Sequence, residues 1–191
     1  TETLSRVIDQ YDRDSMIYSD GAGATIIEAS DDDSGLLSYE SATYAIDEAN
    51  YLFFGKSYNT DLDPDTRYIK MLGRKIYEFA LSNVPTAMKS CLDKSGLQIQ
   101  DVKKILIHQA NEKMDEAIVN RFYKLYDAKM PKDVMPMTIT NLGNSSVATV
   151  PTLLDMLING KIENQEIHKG DIMIFASVGA GMNINAFVYR Y

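Results

Sequence analysis

The chain has 191 residues, 45% of them hydrophobic and 24% charged, which suits one domain whose core buries roughly 70% of the unfolded chain's surface. It has no run of about 18 apolar residues that would mark a membrane span, and with no dense Lys/Arg stripe and no Trp it does not read as a nucleic-acid binder. Its net charge of −8 is uneven: residues 1–65 hold fifteen acids and three bases, the remainder twelve and sixteen, so a solvated acidic face is expected first, then a part suited to an acidic partner.

In chain order, "MIYSDGAGATIIEAS" (16–30) reads as two apolar runs around a small-residue link. Ile17, Ile26 and Ile27 favour strand, while Gly21 and Gly23 permit a bulge or close backbone approach. "DDDSG" (31–35) is a turn, residues 35–44 a further strand, and "GKSYNTDLDPDTR" (55–67) a loop. From Lys70 to Lys94 the apolar spacing turns helical, with Pro85 as a point of kink or division and Gly96 as the stop. Cys91, on the apolar face of that helix, reads as a small hydrophobe and not a nucleophile. As the only cysteine it allows no internal disulfide and fits a reducing cytoplasm. With two distant histidines it makes no metal site.

"KKILIHQA" (103–110) is a short strand, and "NEKMDEAIVNRFYKLY" (111–126) a helix capped by Asn111. Glu112, Asp115 and Glu116 there suit the positive end of the helix dipole. "NLGNSSVATVPTLLDMLING" (141–160) is a loop entering a helix that Asn144, Ser145 or Ser146 would cap. His168 falls in a polar, solvated loop, and residues 170–191 read as strand, glycine turn, strand. This order of elements predicts an α/β fold with a mixed sheet covered by helices.

Three features share one design: polar residues at a strand end or loop, followed by a helix start or a glycine turn. They are His108 with Asn111, Asn144 in "NLGNSS", and the "GAG" turn at 179–181. Backbone N–H groups at helix starts and glycine turns, with a His and an Asn side chain, are the parts of an oxyanion-stabilising site. Each alone also has a structural reading: a satisfied histidine, a helix cap, a hairpin connection.

Together, "SDGAGATIIEAS", "MLGRKIYEFA" (71–80), "ILIHQAN", "NLGNSSVATVP" and "GAGMNINAFVYRY" resemble the β-ketoacyl-acyl carrier protein synthase III family, in this order and over nearly the whole chain. The resemblance implies the C-terminal half of a thiolase-like αβαβα sandwich, with a mixed five-stranded sheet and helices packed on it. Residues 1–15 would be a lead-in from a preceding half and 16–191 the domain itself. It implies a decarboxylative Claisen condensation of an acyl thioester with malonyl-acyl carrier protein, in fatty acid or related lipid or polyketide synthesis. His108 and Asn144 match the catalytic donors, and Ala180, beside Gly179, matches the centre of the oxyanion turn. Arg74 and Asn111 match pantetheine-tunnel positions, and Lys113 a basic position at the tunnel mouth. No cofactor is implied; coenzyme A and phosphopantetheine thioesters are substrates, acyl carrier protein the partner, and a cytoplasmic homodimer the full-length form. The family's nucleophilic cysteine lies upstream, so this chain alone is expected to be inactive. The alternatives are a non-condensing acyltransferase, an acyl-binding partner subunit of the same fold, or a standalone α/β interaction domain.

Overall fold

Strand β4 (Val102–Ile107) is buried at every position but Lys103 because both faces of its sheet are covered. The computed structural model describes residues 1–191. Strands β1 (Gly35–Thr43), β6 (Asn183–Arg190), β5 (Ile172–Gly179) and β4 make one sheet in the order β1-β6-β5-β4. β4 and β5 run parallel, while β6 is antiparallel to both β5 and β1. On one face lie α1 (Gly73–Ser95) and α2 (Glu112–Lys124), which form the main core with Met88, Leu92, Ile105, Phe122 and Ile174. On the other lies α4 (Thr149–Ile158), where Leu153 and Leu157 cover Leu106, Met173 and Phe175.

The sheet has four strands where five were expected. The run around Ile26 and Ile27 joins no ladder and leaves them 95% and 89% exposed. An extended run becomes a strand only when a neighbour takes its N–H and C=O groups, and here the segment packs elsewhere. A Cβ at Gly21 would stand 2.8 Å from Ala148 Cβ, and one at Gly23 2.5 Å from Pro151 Cβ. The glycines therefore serve close approach, the second of the two roles read from the sequence. Ile17, expected in a strand, ends a 3₁₀ turn over Arg13–Ile17.

Two further elements differ from expectation. The helix starting at Lys70 begins at Gly73, because residues 68–71 form β3 (Tyr68–Met71), paired with β2 (Leu52–Gly55) in a separate hairpin. Lys70 points inward from β3, and its Nζ donates to Asp9 at 2.6 Å and Asp12 at 2.9 Å. Burial would raise the Asp9 carboxyl, but hydrogen bonds from Lys70 and from the Tyr58 and Tyr11 backbone hold it well below the usual carboxylate range. The first residues are thereby fastened to the body. Pro85 does not divide α1, which runs 23 residues unbroken. Proline has no N–H for the carbonyl four residues back; Arg121 Nη1 of α2 donates to that Leu81 carbonyl at 3.0 Å instead.

Candidate active site

The parallel pair β4 and β5 ends on one side of the sheet, and ligands of such sheets collect at the carboxyl ends of the strands. His108 follows β4 directly, and its N–H donates to the Ala176 carbonyl of β5 at 2.9 Å. Gly179 closes β5 three residues beyond Ala176, so the GAG turn stands roughly 10 Å further along the same edge. Gln109, completely buried, fastens this corner to the next segment. Its Nε2 donates to the Pro136 carbonyl at 2.9 Å, and its Oε1 accepts from the Thr138 N–H at 2.8 Å. From Thr138 the chain runs through α3 (Ile139–Leu142) to Gly143, whose φ of +68° makes the turn into Asn144.

The Asn144 backbone is held on both sides. Its N–H donates to the Ile17 carbonyl at 2.7 Å, and its carbonyl accepts from Ser19 N–H at 2.9 Å. The "SDGAGA" segment is thus the cradle of the Asn144 loop. The Asn144 side chain does not cap α4, which starts only at Thr149. Its Oδ1 accepts the Ser146 N–H at 2.9 Å. Only the oxygen end of an amide can accept that proton, so the NH₂ end is free to donate. Burial pushes the His108 imidazole down to about 4; a hydrogen bond to the Ser146 backbone acts the other way and is weaker. His108 is therefore a neutral ring at pH 7. Ser146, at φ +52°, holds the Asn144 amide through its N–H and has its backbone near enough to the His108 ring to favour the charged form.

At the GAG turn the left-handed positions are Gly181 (φ +74°) and Met182 (φ +51°), so Ala180 keeps an ordinary conformation. The Ala180 carbonyl accepts from Asn183 Nδ2 at 2.8 Å, and its N–H makes no backbone hydrogen bond. Asn111 caps α2 as expected, with Oδ1 accepting the Met114 N–H at 3.2 Å. Lys113 is exposed on the first turn of α2. Arg74 is not brought to this group: its side chain is 91% exposed and pairs with Glu78 at 2.8 Å. Cys91 is completely buried and its thiol is raised by burial, as suits a packing residue. The exposed His168 is as solvated as its sequence suggested. A cavity of about 820 Å³ is elsewhere. It lies at the amino end of β5, lined by residues 31–34, 169–172, 190 and 191, and holds none of these donors.

The sequence does not mark Gln109, Ser146 or Asp115 as site residues. Gln109 carried no local signal, and Ser146 acts only through its backbone. Asp115 was read as a helix-dipole residue, whereas the structure buries it completely.

A mixed α/β sheet thus carries the neutral His108 ring, the Asn144 amide NH₂ and a small-residue turn along one edge. The family of 3-oxoacyl-[acyl-carrier-protein] synthase III C-terminal domains matches residues 92–191, and the 3-oxoacyl-[acyl-carrier-protein] synthase III family matches residues 1–45. β-Ketoacyl-[acyl-carrier-protein] synthase III of Lactobacillus helveticus is 31% identical over 196 residues, covering 100% of this chain and 57% of that protein. The Porphyra umbilicalis synthase is 32% identical over 198 residues, with the same coverage. The crystal structure of the Aquifex aeolicus synthase superposes with a TM-score of 0.81 at 25% identity, over 98% of this chain and 55% of that one. This chain belongs to the β-ketoacyl-acyl carrier protein synthase III family. It spans a little over half the length of the relatives it matches.

Proposed function

We propose that this chain supplies the decarboxylation donors of a β-ketoacyl-acyl carrier protein synthase III. The observation that carries the reading is the Ser146 N–H, which fixes the Asn144 amide with its NH₂ free, beside a buried, neutral His108 ring. In this reading a short acyl group passes from a coenzyme A or carrier-protein thioester to a cysteine in the part of the protein that this chain does not span. Malonyl-acyl carrier protein then enters. As its carboxylate leaves as carbon dioxide, negative charge moves to the thioester oxygen, where His108 and Asn144 donate hydrogen bonds. The enolate carbon attacks the acyl-cysteine carbonyl, and the product is a β-ketoacyl thioester. The Ala180 N–H, without a backbone partner, would stabilise the acyl oxyanion.

A neutral His108 carries one ring N–H, and in this reading that N–H is the donor. Asn111 and Gly179 would line the pantetheine path, and Lys113 would meet carrier-protein phosphate or carboxylates. Arg74 would join them only by leaving Glu78. Residues 1–15 as a lead-in, 16–191 as the domain, and a cytoplasmic homodimer complete the proposal.

The test uses the full-length protein. His108→Ala and Asn144→Ala should each lower malonyl decarboxylation by about 10²–10³ while acylation of the cysteine continues. If decarboxylation survives and acyl transfer is lost, the assignment falls and a non-condensing acyltransferase replaces it. The 191-residue chain alone, treated with an acyl thioester, should show no added mass, since Cys91 is inaccessible.

A further inference from the structure

Asp115 is a buried carboxyl that the reaction above does not use. It is completely buried, and neither oxygen has a hydrogen-bond partner. It sits one turn into α2, where its N–H donates to the Asn111 carbonyl at 2.9 Å. Helical side chains lean toward the helix N-terminus, so the carboxyl lies behind the His108–Asn111 turn. The Ala110 and Asn111 backbone N–H groups are near enough to favour its charge, though neither reaches it with hydrogen-bond geometry.

We propose that Asp115 is a positioning residue for this turn: neutral, it backs the His108 corner; ionised, it opposes the negative charge that His108 would stabilise. The inference rests on the reading of His108 given above. A carboxylate in that place would draw on the Ala110 and Asn111 N–H groups and put a negative charge behind a site that must accept one on its other side. Burial is the main influence on the group and pushes it up to about 8. Glu112 on the same helix adds to this, and no charged group of α1 or β4 acts on it. The buried Tyr123 hydroxyl, two turns along α2, also lacks a partner and is raised by burial. At neutral pH the carboxyl is therefore protonated, and alkaline pH ionises it.

The experiment follows decarboxylation against pH in the full-length protein and in its Asp115→Asn variant. It also follows the carboxyl carbons of ¹³C-aspartate-labelled wild-type protein. Wild-type kcat should drop roughly tenfold, to a lower plateau, as Asp115 ionises. The Asn variant should keep the neutral-pH rate and lose the drop. One carboxyl resonance, absent from the variant, should titrate near that same pH. An alkaline drop that persists in Asp115→Asn overturns the proposal, as does a labelled protein in which every aspartate titrates in the ordinary acid range. The carboxyl titration does not depend on catalysis. A failed assignment of His108 would show instead as His108→Ala retaining decarboxylation.

Discussion

Arg121→Ala tests how the helix pair behind the His108 corner is held. Pro85 withholds the N–H that Leu81 would otherwise receive inside α1, and the guanidinium of Arg121 takes its place at 3.0 Å. A hydrogen bond from a charged donor contributes about 1.5–3 kcal/mol, and stranding its acceptor costs a similar amount. Arg121 is exposed and water can partly replace it, so the low end applies: about 1.5 kcal/mol. In a Pro85→Ala background residue 85 has its own N–H for Leu81, and Arg121→Ala should then cost no more than about 0.5 kcal/mol. The coupling of about 1 kcal/mol is read from a double-mutant cycle by denaturant unfolding of the full-length protein, followed by far-UV circular dichroism. Pro85→Ala alone should stabilise, since proline is the poorest interior helix residue. Equal costs for Arg121→Ala in both backgrounds would refute the reasoning, and the Arg121 contact would then be an ordinary surface bond.

Two further outcomes follow from the site. Burial lowers the folded-state pKa of His108 from the usual imidazole value of 6.5 to about 4. The unfolded chain therefore binds the extra proton first as pH falls, and stability is full above about 6.5 and declines toward 4. Because the residue is partly exposed, the loss is at most about 3 kcal/mol. It is measured as the pH dependence of unfolding free energy, and it should vanish in His108→Leu. Gly23→Ala places a methyl 2.5 Å from Pro151 Cβ. It should destabilise by about 1–3 kcal/mol and lower decarboxylation by displacing the Asn144 loop, checked by melting temperature and turnover. Full activity and unchanged melting would show that the cradle yields freely.

The sequence by itself determined the class of fold, the main helices and the end strands, because apolar periodicity and cap residues are local. α2 and its Asn111 cap came out as read, as did β1, and β5 and β6 joined through the GAG turn. His108 and Asn144 were legible as candidates through motif resemblance, since their spacing along the chain says nothing of distance in space. Asp115 could have been read: Ile118, Val119 and Phe122, at three, four and seven residues onward, put it on the buried face of α2. Its negative charge at a helix start masked that signal.

Tertiary structure alone decided the rest. Ile26 and Ile27 have every local mark of a strand, but a strand requires a partner and the glycines beside them pack on residues 145–151 instead. Pro85 stays inside a helix because Arg121, 36 positions away, answers the orphaned carbonyl. Gln109 and Ser146 acquire their roles from groups that only folding brings to them. Burial completes the site: the same imidazole and carboxyl in solvent would titrate ordinarily, and only the low-dielectric packing around His108 and Asp115 keeps both uncharged at neutral pH.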